Sequence, residues 1–312
     1  MKTTNENTFT LHAPAKVNLC LAVHYPPVEG YHQLESVFQE LDLHDTLTFE
    51  VRSLDDFIDN PKTACTSAGS AVCLECGPIN LPTADNLIFK AIDAMEHAFG
   101  APIVDELSAL SITVNKQIPA GGGLGGGSSD AAAAIKAYAR LAGVDATDER
   151  ALTVARSLGA DVAFFLQGGA ALMDGRGDTL VRPLPSFPLP LLLMGEHEGI
   201  STARIYHDFD AAPPAAPDAE ALAQAMEAFP TLPSLDDKLA LAQACSNNLE
   251  PAAFAALPRL QKRVETARRD PDVLHALVTG SGATSYCICA DLGAAMRAEQ
   301  RLAHLCDWTA IC

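Results

Sequence analysis

Six glycines crowd the stretch from Gly121 to Gly127, within the run Ile118-Pro-Ala-Gly-Gly-Gly-Leu-Gly-Gly-Gly-Ser-Ser-Asp130. Consecutive glycines let successive backbone amides point into one concavity with no Cβ in the way. Ser111 to Val114, just ahead of the run, reads as a strand. An alanine-rich helix follows from about Ser129 to Ala142, closed by Gly143. The start of that helix adds free N–H groups and the positive end of its dipole at the same spot. A loop built this way captures phosphate with almost no side-chain charge. That economy matters here, because Lys+Arg number 21 against 39 Asp+Glu, a net charge of −18. So acidic a chain presents no general footprint to nucleic acid or to an anionic membrane. Any anionic ligand has to be held by local geometry.

Two better-known glycine loops fit poorly. A Walker A loop ends in Gly-Lys-Ser/Thr, whereas Gly127 is followed by Ser128. The dinucleotide pattern G-x-G-x-x-G matches formally at Gly121, Gly123 and Gly126, but it belongs directly after a strand, with an acid about 20 residues on. Here Lys116, Gln117 and Pro119 intervene, and the acids Asp145 and Asp148 precede a helix. A plain flexible linker rarely joins a strand to a well-formed helix.

The rest of the chain reads as mixed strands and helices. With 312 residues and 48% hydrophobic content, it is long enough for two domains or one large one and too apolar for disorder. Phe9 to Val23 suggests two short strands flanking Ala13-Pro14-Ala15-Lys16, and Asp45 to Val51 alternates like a third. Residues 52–82 read as loop. Asp85 reads as the cap of a helix over Asn86 to Phe99, with Gly100 as its stop, and a further helix runs from about Thr147 to Leu158 and stops at Gly159. A Pro-rich stretch leads to a buried strand at Leu191 to Met194. Residues 207–237 read as linker with one helix near Ala219 to Ala228, and strands at Ala276 to Thr279 and Ser285 to Ala290 flank Gly280-Ser281-Gly282. Without strict strand–helix alternation, the class is α+β.

The polar opening MKTTNENTFT argues against a secretory signal, and the longest apolar stretch is too short to span a bilayer. Nine scattered cysteines suit reduced thiols, and the expected location is the cytoplasm. Cys73-Leu-Glu-Cys76, with Cys65 upstream, lacks a second pair and finger-spaced histidines, so an ordinary thiol-bearing loop is expected there rather than a zinc site.

Three segments resemble the three motifs of the GHMP kinase superfamily of galactose, homoserine, mevalonate and phosphomevalonate kinases: Pro14-Ala-Lys-Val-Asn18, the glycine loop, and Thr279-Gly-Ser-Gly-Ala-Thr284. Gly30-Tyr31-His32 and Gly159-Ala-Asp-Val162 narrow the resemblance to the branch whose acceptor is a cytidine diphosphate-linked methylerythritol, a small molecule. The resemblance implies a two-lobed fold with an active-site cleft between lobes. An ATP-binding domain is expected over residues 1–180 and a substrate-side domain over 181–312. It also implies ATP and Mg²⁺ as cofactors, with the metal's ligands unassigned.

Site residues follow from the same resemblance. Asp161 is the expected base for the acceptor hydroxyl and Lys16 its cationic partner; phosphoryl transfer needs both kinds of group. Two residues on, Asn18 shares a strand face with Lys16 and is expected to hold the methylerythritol end. Tyr31 and His32 suit a cytosine, by stacking and by hydrogen bonds to its polar edge. Tyr206 aligns with an aromatic on the other side of that base, and Thr202 lies in the same substrate-binding segment. Asn86 and Lys116 resemble residues near the adenine. Pro119, Ala120, Gly121, Gly122, Gly123, Leu124, Gly125, Gly126, Gly127, Ser128 and Ser129 form the expected phosphate cradle, with the two serines also candidates to approach Mg²⁺. The chain departs from the family at Gly195-Glu-His-Glu-Gly199, where Asn-Pro-Gly is common, and at Ala163, where proline is common. Other acceptors of the superfamily, or a nucleotide-binding protein without turnover, are the competing expectations. Retention of both Lys16 and Asp161 argues against the latter.

Overall fold

The computed structural model describes residues 8–77, 81–197, 199–228 and 234–312. The first seven residues of the polar opening, 78–80 of the expected loop, Glu198 and 229–233 of the expected linker lie outside the described residues. The chain divides into two compact units, one of residues 1–15, 44–118 and 125–167, the other of 16–43, 119–124 and 168–312. The units interleave along the sequence, whereas the sequence reading draws a single boundary near 180. Two long strands, β1 (Thr8–Val23) and β2 (Leu34–Ser53), contribute to both. Pro14 does not break β1 into two, because its fixed φ is compatible with an extended chain.

In the first unit, β3 (Thr63–Cys65) pairs antiparallel with β4 (Ala71–Glu75), β4 parallel with β5 (Ser108–Asn115), and β5 antiparallel with residues 46–53 of β2. β3 and β4 correct the loop reading of 52–82. Ala71 to Leu74 are all buried, so β4 lacks the alternation by which a half-exposed strand is recognised. Four helices pack together in this unit: α1 (Leu87–Phe99), α2 (Gly126–Ala142), α3 (Glu149–Leu158) and α4 (Ala160–Gln167). Asn86, not Asp85, caps α1, accepting from the Ile88 amide at 2.9 Å, and Gly100 ends it at φ 68°. In α2 the alanines from Ala131 to Ala134, with Ala137 and Ala139, are buried, small enough for close helix packing.

In the second unit, β6 (Ala170–Asp174) and β7 (Thr179–Leu184) form a hairpin, and residues 36–39 of β2 pair with β6. A separate antiparallel sheet has the order β10-β11-β8-β12, from β8 (Leu191–Gly195), β10 (Val273–Val278), β11 (Ser285–Cys289) and β12 (Trp308–Ile311). Every residue of β8 and β11 is buried. Around them lie α5 (Thr202–Ala211), α6 (Ala219–Ala228), α7 (Leu235–Ala244), α8 (Glu250–Ala256), α9 (Pro258–Ala267) and α10 (Leu292–Leu302). The two-residue β9 (Ser246–Asn247) runs parallel to β1 at Cys20 and Leu21. α5 and α7 extend the helical content of the expected linker beyond the single helix read there. Among the described residues no helix is long and apolar enough to cross a membrane.

Candidate active site

The glycine run alternates: Gly121, Gly123 and Gly125 take φ of 75°, 77° and 74°, a conformation other residues rarely adopt. Gly125 serves as the N-cap of α2, so the helix starts at Gly126, three residues earlier than the sequence suggests. Leu124 is buried, and its carbonyl accepts from the Lys16 amide at 2.9 Å. Within the second unit, Gly122 and Gly123 lie close against the third motif. A Cβ on Gly123 would stand 3.2 Å from the Thr279 carbonyl oxygen, and one on Gly122 would stand 2.5 Å from Thr284 Oγ1. In the first turn of α2, Ser129 Oγ is buried without a hydrogen-bond partner. Glycines that exclude a Cβ, and an orphaned hydroxyl at a helix start, suit phosphate oxygens.

In the second unit the first and third motifs meet. The Lys16 ammonium, only 4% exposed as a residue, donates to Asn18 Oδ1 at 2.9 Å and sits 4.8 Å from the centre of the Phe38 ring. Asn18 Nδ2 donates to Ser36 Oγ at 2.9 Å, and the Asn18 amide donates to Thr279 Oγ1 at 3.0 Å. Tyr286 Oη donates to the Asn18 carbonyl at 3.0 Å. Lys16 and Asn18 therefore do share a strand face, and Asn18 is locked from four directions. Such locking fixes where the ammonium points.

The expected cytosine residues are partly assembled. His32 Nε2 lies 2.7 Å from Asp210 Oδ1, and the His32 ring lies 5.1 Å from that of Tyr206 and 5.7 Å from that of Phe209. Asp210, one turn beyond Tyr206 on α5, orients the imidazole and was not singled out from sequence. Tyr31 lies outward, 58% exposed, with the Arg176 guanidinium 5.0 Å from its ring centre. Arg176 stands in the turn of the β6–β7 hairpin between Gly175 and Gly177. Thr202 Oγ1 lies 3.0 Å from Ser281 Oγ of the third motif.

In the first unit Asp161 stands in the first turn of α4, which Ala160 opens. Asn86 uses its side-chain oxygen as the cap of α1. Lys116 is placed between two carboxylates: its ammonium donates to Asp45 Oδ2 and, at 2.7 Å, to Asp130 Oδ2. Asp45 Oδ1 also accepts from the amides of Gln117 (2.6 Å) and Ile118 (2.8 Å), which fixes the chain as it leaves β5 for the loop. Burial, with Asp45 adding to it and Lys116 opposing, pushes the Asp130 carboxyl up to about 7. Neither Asp45 nor Asp130 was singled out from sequence, although an acid in an apolar-alternating strand and an acid amid buried alanines are both visible signals.

Among the described residues no group of three or more His, Cys, Asp or Glu could hold a metal ion, and all nine cysteines are free. Cys73 is a buried residue of β4 rather than a loop thiol.

Comparison with known proteins matches residues 86–169 to the GHMP kinases N terminal domain and 217–307 to the GHMP kinases C terminal domain. A relative from Pelotomaculum thermopropionicum, named 4-diphosphocytidyl-2-C-methyl-D-erythritol kinase, is 32% identical over 94% of this chain and 93% of its own length. Among solved structures, a 4-(cytidine 5'-diphospho)-2C-methyl-D-erythritol kinase is similar with a TM-score of 0.72 and 29% identity, over 97% of this chain and 98% of its own. A homoserine kinase from Cytophaga hutchinsonii shares the fold at TM-score 0.68 and 17% identity, over 100% of this chain and 96% of its own.

Proposed function

The chain belongs to the GHMP kinase family, in the branch of the 4-diphosphocytidyl-2-C-methyl-D-erythritol kinases, and we propose that it phosphorylates that branch's acceptor at its 2-hydroxyl. The donor is ATP and the products are ADP and the 2-phosphate, a step of non-mevalonate isoprenoid precursor synthesis. The observation that carries this reading is the buried Lys16 ammonium, aimed by Asn18 and anchored through Thr279 to the third motif. An ammonium held at a fixed point suits chemistry that develops negative charge beside it. Phosphoryl transfer supplies such chemistry, because charge spreads over the transferred group in the transition state.

In this reading the acceptor oxygen attacks the γ-phosphorus, its proton passes to an Asp161 carboxylate oxygen, and ADP departs. Lys16 steadies the charge on the attacking oxygen as its proton leaves, and Asn18 holds the polyol end. Tyr31, His32 and Tyr206 hold the cytosine, with Thr202 beside them. Residues 119–129 cradle the donor's phosphates through backbone amides. Asn86 and Lys116 lie toward the adenine; because Lys116 is engaged by Asp45 and Asp130, its part there is to fix the start of the loop. Mg²⁺, when bound, neutralises phosphate charge. Ser128 and Ser129 are the side chains of the loop that would approach it.

The test is ADP release across an acceptor panel: 4-diphosphocytidyl-2-C-methyl-D-erythritol, homoserine, mevalonate and galactose. The proposal expects turnover with the first alone. Turnover with homoserine or mevalonate instead would assign a different acceptor, and ATP binding without turnover on any would remove the kinase assignment.

A further inference from the structure

Behind the third glycine motif lies a charged pair that no part of the proposed mechanism uses. Arg263, on α9, is fully buried, with its side chain 0% exposed. Its guanidinium makes three bonds in three directions: Nη1 to Glu196 Oε1 at 2.5 Å, Nη2 to the Ala283 carbonyl at 2.6 Å, and Nε to Ser285 Oγ at 3.0 Å. Arg259, one turn earlier on the same helix face, brings Nε to 3.5 Å from Glu196 Oε2. Glu196 is itself only 6% exposed and belongs to the segment where the chain departs from the family pattern.

The position of this pair gives it consequences. Glu196 follows the last residue of β8, Gly195, which has no room for a side chain: a Cβ there would meet the Trp308 ring at 2.0 Å. Ala283 and Ser285 bracket the end of the third motif. Arg263 thus ties the start of the segment running to Thr202 directly onto that motif. Thr202 and Ser281 close the same two stretches at their other end, at 3.0 Å. Along this segment Gly199 lies flat on the phosphate loop, where a Cβ would come 2.8 Å from the Gly121 carbonyl oxygen.

We infer that Glu196 and Arg263 are positioning residues for the acceptor: a buried fork that fixes the segment leading to Thr202 against the third glycine motif. Stability alone is a weak reason to keep such a pair, because well-packed apolar residues of similar volume are often as stabilising or more so. The planar fork of arginine, reaching a carboxylate, a carbonyl and a hydroxyl at once, is a geometric device that lysine cannot copy. The inference rests on the kinase reading, which supplies the acceptor.

The test replaces the pair as a whole, Glu196→Leu with Arg263→Met, and separately shortens the carboxylate, Glu196→Asp. Wild-type turnover over the acceptor panel decides the kinase reading first, and the acceptor it turns over is the one used for the variants. The double variant is expected to keep its thermal midpoint and its KM for ATP. Its kcat/KM for the acceptor is expected to fall about 10- to 100-fold, the scale of a displacement of under 1 Å at a reacting group. Glu196→Asp keeps the charge and the fold, and is expected to raise the acceptor KM while sparing the ATP KM. A folded double variant with wild-type acceptor kcat/KM overturns the inference. So does an unchanged acceptor KM in Glu196→Asp, which decides the matter should the double variant not fold.

Discussion

Replacing Gly122 by alanine adds one methyl group at the most tightly packed point of the phosphate loop. Gly122 does not have a positive φ, so alanine meets no backbone strain there, and any effect is steric. The new Cβ would lie 2.5 Å from Thr284 Oγ1, and ordinary contact begins near 3.4 Å, so about 0.9 Å must be absorbed. Thr284 cannot easily yield it. Its side chain is fully buried, and its carbonyl accepts from the Thr279 amide at 3.1 Å. Overpacking of this kind costs about 1–3 kcal/mol, which, if taken up by the loop, weakens nucleotide binding roughly 5- to 150-fold. Calorimetry with a non-hydrolysable ATP analogue reads this directly, with thermal melting alongside to show that the fold is kept. Thr284→Ala deletes the clashing oxygen and leaves a methyl that the Gly122 Cβ would meet at an ordinary 3.8 Å. The double variant should therefore bind within about threefold of wild type. Unchanged affinity in Gly122→Ala, or no rescue in the double variant, would refute the packing argument.

Other outcomes follow from the same geometry. Tyr31→Ala should raise the KM for the cytidine-bearing acceptor by about 5- to 150-fold, the worth of one base–aromatic stack, and leave the ATP KM alone; steady-state kinetics in both substrates checks it, and a change confined to ATP would move Tyr31 out of the acceptor site. Asp130, raised to about 7, binds a proton in the folded state across pH values where the unfolded chain has already released it. Its contribution to stability is thus fully present below about pH 4 and is lost as pH rises toward 7, with a slope of at most about 1.4 kcal/mol per pH unit. Asp130→Asn should flatten that slope in urea melts between pH 5 and 8, and an unaltered slope would place the titration elsewhere.

What the sequence made legible was local. The glycine run, the alanine helix after it, and the two-residue spacing that puts Lys16 and Asn18 on one strand face are all decided within a few neighbouring residues. β4 escaped because burial on both faces erases the alternation that marks a strand, and the flanking Ser, Thr, Gly and Pro reinforced the loop reading. The cap of α1 moved by one residue because Asp85 and Asn86 are both competent acceptors, and only the path of the chain selects Asn86. Partner choice was the larger gap. Asp45 with Lys116, His32 with Asp210, and Glu196 with Arg263 are separated by 71, 178 and 67 positions, and no periodicity reports which distant charge a buried side chain will meet.

The proposed chemistry is tested most directly by kcat in Asp161→Asn, Lys16→Ala and the double variant, at saturating ATP and acceptor. Asparagine keeps the size of the side chain but cannot take the hydroxyl proton, so kcat should fall by about 10²–10⁴-fold. The ATP dissociation constant should stay near wild type, because in the proposed reading the glycine loop holds the phosphates without Asp161. Lys16→Ala should lower kcat as well, and the double variant should lose less than the product of the two single losses, as groups acting as one unit do. Near-wild-type turnover in Asp161→Asn would contradict the account and leave positioning and electrostatics to carry the reaction without a protein base.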